Sequence, residues 1–173
     1  MKKILKYVLS ILVPVLFVFI LYMTCFGIMR VESGSMEPTL KSGETILVNK
    51  LAYKTKAPKR GDIIIFYENG DAVTKRVIGM PGEKISFIDG RVFVDGKLLE
   101  ESYLDETVMT YSSEEFEVPQ EYYFVLGDNR EDSYDSRYMK STYLSKSSIV
   151  GRVIYKFPDT VISQLQESEQ KAK

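Results

Sequence analysis

Two hydroxyls two residues apart, Ser33 and Ser35, stand in the stretch Ser33-Gly34-Ser35-Met36-Glu37-Pro38-Thr39-Leu40. A serine hydroxyl is a weak nucleophile until a base takes its proton. The 173-residue chain contains no histidine, so a Ser/His/Asp triad, histidine zinc sites and a histidine pH switch are all excluded. Acid and base work falls to Lys, Asp, Glu or Tyr. A lysine serves if burial lowers its pKa from about 10.4 by about 3 units, a penalty of about 4 kcal/mol on the charged form. Lys75 has that setting. In an extended segment alternate residues share a face, so Val73, Lys75 and Val77 point one way and Thr74, Arg76 and Ile78 the other. The ordinary reading of such a lysine is a side chain that snorkels to water; a serine in need of a base favours the other. The Ser33 hydroxyl and the Ser35 amide supply donors for a developing oxyanion, Gly34 lets backbone approach a substrate, and Pro38 stiffens the residues after it.

These residues lie close to a membrane segment. Residues 7–29 carry no charge and as a helix span about 35 Å, against a hydrocarbon core of about 30 Å. A cleaved secretory leader begins in the same lysine-rich way, but this apolar core is too long for one, and no small-residue cleavage site follows at Thr24-Cys25-Phe26-Gly27. An uncleaved anchor is expected, with Pro14 a mild kink. Lys2, Lys3 and Lys6 outweigh Arg30 beyond the far end, which places the N-terminus in the cytoplasm and the rest outside. The six residues from Met29 to Ser35 reach about 20 Å at most. Ser35 therefore works close to lipid.

The chain beyond the first three lysines carries about −4, which is not a nucleic-acid-binding balance. One cysteine, Cys25, rules out an intramolecular disulfide and a cysteine metal cluster; it reads as a small packing residue.

Short β-rich runs punctuated by turn residues fill the remainder. Strands are expected at 45–49, 62–67, 72–79, 84–88, 91–94, 122–126 and 149–157, with Asn69-Gly70, Asp89-Gly90 and Asp95-Gly96 as hairpin turns. The lysine-rich loop 52–61 reads as solvated or touching anionic headgroups. Residues 100–121, rich in glutamate, read as an exposed excursion of low information. Residues 127–137 are so dense in Gly, Asp, Asn, Ser and Arg that they form a loop, with an internally satisfied ion-pair network. Asp159 is expected to cap a short C-terminal helix before a frayed tail. The expected division is a cytoplasmic N-terminus at 1–6, a transmembrane helix at 7–29, an extracytoplasmic β-rich catalytic domain at 30–158, and helix and tail at 159–173.

Four ordered motifs, Ser33 to Leu40, Arg60-Gly61-Asp62, Lys75-Arg76-Val77-Ile78-Gly79-Met80-Pro81-Gly82-Glu83, and Gly127-Asp128-Asn129-Arg130 through Ser133, Asp135, Ser136 and Arg137, closely resemble the successive sequence boxes of bacterial type I signal peptidases. The resemblance runs from the anchor to near residue 157 and is to the compact Gram-positive form. It implies that Ser35 is the nucleophile and Lys75 its general base, with Ser33 contributing to the oxyanion hole beside Ser35. It further implies that Ser133 orients the lysine amine, that Asp135 and Arg137 form a supporting ion pair, and that Met36 lines the pocket for the small residue before the cut. The implied fold is mainly β, an antiparallel catalytic domain behind one transmembrane helix, its apolar edge on the outer leaflet, without metal or cofactor. Glu83 stands where the family more often has Asp, and Phe157-Pro158 lacks an aromatic residue often seen before that proline.

The expected reaction is removal of signal peptides from secreted preproteins with A-x-A-like sites, through an acyl-enzyme on Ser35, by a monomer at the outer face of the cell membrane, with the lipid bilayer as its other partner and no nucleic acid. Two alternatives stand beside it. A self-cleaving Ser/Lys repressor-type protease carries a DNA-binding segment where this chain has its apolar run. A non-catalytic relative serving pilus or envelope assembly typically lacks the serine or the lysine.

Overall fold

The computed structural model describes residues 2–158. Helix α1 (Lys2–Cys25) contains a 20-residue stretch, Lys6–Cys25, long and apolar enough to cross a membrane. At 1.5 Å per residue that stretch is about 30 Å long, the thickness of a hydrocarbon core. The apolar run predicts helix as far as Met29; instead the helix ends at Cys25, and β1 (Phe26–Arg30) pairs antiparallel with β2 (Thr45–Asn49). The cause is tertiary. The free edge of β2 takes up the backbone groups of five residues, and the Lys50 N–H, donating to the Cys25 carbonyl at 2.9 Å, ties the helix end to the sheet. Ser35 is thus connected to the helix through a paired strand rather than a free tether.

The remaining strands are β3 (Ile63–Glu68), β4 (Asp71–Gly79), β5 (Lys84–Ile88), β6 (Arg91–Val94), β7 (Lys97–Leu98), β8 (Phe116–Glu117), β9 (Tyr122–Leu126), β10 (Leu144–Ser145) and β11 (Ile149–Lys156). All pair antiparallel, in a seven-stranded sheet ordered β1-β2-β11-β3-β4-β9-β10 and a four-stranded sheet ordered β7-β6-β5-β8. The β3–β4 hairpin turns on Asn69 (φ 53°) and Gly70 (φ 96°), the left-handed pair that matches strand twist.

Strand β4 is the centre of the molecule. It runs between β3 and β9, and the register shifts against β9 between Val77 and Gly79. Ile78 packs with Ile85, Val92, Phe116, Phe124 and Leu126, while Val77 packs with Ile64, Phe66, Tyr123 and Val125. A third cluster, Val31, Met36, Leu40, Ile46, Val48 and Ile65, seats residues 31–40 on the large sheet.

Residues 100–121 are not the exposed excursion expected of them. Thr110, Phe116 and Val118 are buried, and β8 completes the small sheet with Phe116 opposite Ile85. Glu114, Glu115 and Glu117 do face solvent, and in so short a strand they hide the inward period of Phe116 and Val118. The expected C-terminal helix and tail at 159–173 lie outside the described residues.

Candidate active site

Ser35 begins a tight turn held by the Glu37 N–H donating to the Gly34 carbonyl at 3.0 Å and the Leu40 N–H to the Met36 carbonyl at 2.9 Å. Met36 is 1% exposed, its side chain sunk into the third cluster beneath the serine. Ser35 is itself buried, and its hydroxyl shares a 3.2 Å hydrogen bond with the Ser33 hydroxyl.

Lys75 lies on β4 opposite Ile64 of β3 and two residues from Val77, both fully buried, and is itself only 2% exposed. Burial, the largest influence, lowers its pKa to about 8; the Asp135 carboxylate partly offsets this and the Arg137 guanidinium adds to it. Among the described residues the amine has neither a hydrogen bond nor an ion pair.

Loop 127–137 joins the two groups. At one end the Asn129 N–H donates to the Ser35 carbonyl at 3.0 Å, and Asn129 Nδ2 donates to the Gly34 carbonyl at 3.3 Å. At the other, Asp132, Asp135 and Arg137 are the charges that Lys75 meets, together with Asp128. Asp135, fully buried, accepts from the Gly127 N–H at 3.0 Å and takes a two-point grip from Arg137, both bonds 2.9 Å. Ser133 is 8% exposed, and its hydroxyl is buried without a hydrogen-bond partner. A methyl group on Gly127 would collide with the Ser133 hydroxyl and meet the Ser35 carbonyl at 2.5 Å, so only glycine permits this closeness.

Of the residues singled out from sequence, Ser33 and Ser35 are thus bonded to each other, Asp135 is paired with Arg137, and the loop bearing Ser133 abuts Ser35 and faces Lys75. Ser133 makes no hydrogen bond to the amine in this structure. The expected network within the loop is only partly internal: Asp128 pairs with Arg76 of β4 at 2.8 and 2.5 Å and accepts from Thr39 at 2.5 Å, while Arg130 pairs with Glu101. The Arg76–Asp128–Thr39 connection locks the serine turn, β4 and the loop together. All three residues lie within the four motifs, but nothing in a linear sequence pairs them. In the basic loop, Arg60 is engaged by Glu83 at 2.5 Å rather than free for headgroups, and Glu83 also accepts from the Met80 N–H at 2.7 Å.

A serine hydroxyl and a buried amine, served by one polar loop on a mainly antiparallel β framework behind an N-terminal apolar helix, describe a class of candidate serine hydrolase that works without histidine. Comparison with known proteins gives the family. Residues 4–157 match the family described as "Signal peptidase, peptidase S26", and the chain belongs to it. It is 34% identical over 174 residues to signal peptidase IB of Staphylococcus aureus, covering 90% of each. It is 36% identical over 135 residues to a probable signal peptidase I-2 of Synechocystis sp., covering 73% of this chain and 61% of that one. The match to signal peptidase I of Leptolyngbya laminosa covers 66% of the relative, so this chain spans under two thirds of the length of both of these proteins. The crystal structure of a signal peptidase I from Enterococcus faecalis superposes with a TM-score of 0.50 at 34% identity, covering 58% of this chain and 98% of that one. The fold is that of signal peptidase I.

Proposed function

We propose that this chain is a membrane-anchored serine endopeptidase that removes signal peptides from secreted preproteins, with Ser35 as nucleophile and Lys75 as general base. The observation that carries this reading is the burial of Lys75 beside a loop hydrogen-bonded to Ser35. A lysine with a pKa near 8 is about one-tenth neutral at pH 7 and half neutral at pH 8, whereas an exposed lysine is almost wholly charged. The neutral amine takes the Ser35 proton as Oγ attacks the scissile carbonyl carbon. The ammonium then returns that proton to the departing amine, leaving an acyl-enzyme. Water, deprotonated by the same amine, releases the acid and regenerates the serine. The Ser35 N–H and the Ser33 hydroxyl donate to the oxyanion. Ser133 turns its unpartnered hydroxyl to the amine in the reacting complex, and Asp135 with Arg137 fixes the loop that carries it. Met36 floors the pocket for a small side chain before the cut.

The apolar stretch Lys6–Cys25, about 30 Å long as helix, and the short route from it to Ser35 support action at the outer membrane surface, where a secretory signal presents its cleavage site just beyond its own apolar segment. In this reading residues 1–6 lie in the cytoplasm, the substrate binds extended along a strand edge with A-x-A-like side chains in small pockets, and a monomer suffices. The test is cleavage of a preprotein with an A-x-A site by the detergent-solubilised chain, compared with Ser35→Ala and Lys75→Ala, and sequencing of the new N-terminus. A cut after the small-residue site, lost in both variants, is expected. Intact substrate with well-folded wild type rejects the assignment and leaves a non-catalytic assembly role.

A further inference from the structure

The connection between β7 and β8, residues 99–115, runs from one edge of the small sheet to the other, and its polar side chains converge on loop 127–137. Glu101 grips Arg130 at two points, 2.5 and 3.1 Å, with the guanidinium wholly buried. Arg130 also donates to the Thr110 hydroxyl at 2.6 Å and, through Nε, to the Gly127 carbonyl at 2.9 Å. The Arg130 carbonyl accepts from Arg137 at 2.8 Å, the same guanidinium that holds Asp135. Tyr103 donates its hydroxyl to Glu101 and lays its ring 3.8 Å beneath the Arg76 guanidinium, which grips Asp128. The Tyr111 carbonyl meets Arg137 at 3.4 Å. Four contacts therefore run from one excursion to the loop or to the arginine that clamps it, and none is needed to close the small sheet.

We propose that this excursion is a strap that sets the position of the 127–137 loop, and that Glu101 is a positioning residue for the reaction, acting through Arg130. The proposal rests on the proposed peptidase reading for its kinetic consequence but not for its geometry. A buried guanidinium that loses its carboxylate is left uncompensated and must move toward water. Gly127 and Arg137 move with it, carrying Asp135 and Ser133 away from Lys75. Burial is the largest influence on the Lys75 amine, larger than that of the Asp135 carboxylate, whose departure acts the other way and is opposed by the departure of the Arg137 guanidinium, so a loop that no longer excludes water raises the pH at which the amine loses its proton.

The test compares wild type, Glu101→Ala, Glu101→Gln and Tyr103→Phe as full chains in detergent, by kinetics on an A-x-A preprotein and by NMR titration of lysine labelled at Cε, with Lys75 assigned from Lys75→Arg. For Glu101→Ala the expected result is a kcat at least about tenfold lower with KM within about twofold, and an upward shift of both the Lys75 titration and the rising limb of kcat/KM. Glu101→Gln, which keeps the shape but not the charge, shows a smaller shift in the same direction, and Tyr103→Phe the smallest. An unshifted Lys75 titration in a folded Glu101→Ala chain overturns the proposal, whatever its effect on Tm. Should that variant not fold, the Glu101→Gln titration decides in the same way. Wild type that cleaves nothing rejects the peptidase reading, while the titration still decides the strap.

Discussion

Replacing Lys75 by methionine keeps an unbranched, apolar stem in the β4 face but removes the buried charge. In the unfolded chain the lysine titrates at its ordinary value of 10.5; in the folded chain burial lowers this to about 8. Below pH 8 both states carry the proton, and folding then costs the full difference, about 3 kcal/mol. Between pH 8 and 10.5 the unfolded state still binds a proton that the native state has released, so stability rises with pH until the penalty vanishes. Wild type should therefore be less stable than Lys75→Met by about 3 kcal/mol at pH 7, the gap narrowing to about 1.5 kcal/mol near pH 9.5. For a domain of this size that is about 10 °C in Tm at neutral pH. Thermal or urea unfolding of both chains in the same micelles, at half-unit steps from pH 6 to 10, measures it. Equal stability at pH 7, or a gap that does not change with pH, would refute a buried lysine held ready to be neutral. A variant made more stable and inactive by one substitution is what a strained functional site produces.

The same proton should govern the rate: kcat/KM is expected to rise about tenfold per pH unit below pH 8 and to level off above it, as initial rates from pH 6 to 9.5 will show. Ser133→Ala should leave stability within about 1 kcal/mol, because its buried hydroxyl has no partner to lose, yet lower kcat about a hundredfold by freeing the amine; Tm and kcat on one preparation separate these effects. Gly127→Ala forces a methyl onto the Ser133 hydroxyl and the Ser35 carbonyl, so cleavage should fall to background even where circular dichroism shows a retained β fold. Asp128→Ala strands Arg76 in a site where its side chain is 8% exposed and should cost about 3–5 kcal/mol in urea unfolding.

Local chemistry made much of this protein legible in one dimension. The absence of histidine leaves lysine as the natural partner for a serine, and the β4 alternation singles out Lys75 because a two-residue period is written directly in the residue order. Asn69-Gly70, Asp89-Gly90 and Asp95-Gly96 announce their hairpins because few other pairs accept the left-handed backbone they adopt. What only the tertiary structure decided are the partnerships that cross long stretches of chain. Phe26–Arg30 became a strand because β2 offered an edge, not because its apolar residues reject a helix. Glu101, one of many acidic residues in an apparently featureless segment, found Arg130 29 positions away, and Thr39 found Asp128 89 positions away. A carboxylate that will be buried against a guanidinium looks, in sequence, like one that will face water. The difference lies in the desolvation cost and the matching charge, and both exist only once the sheets have brought the two segments together.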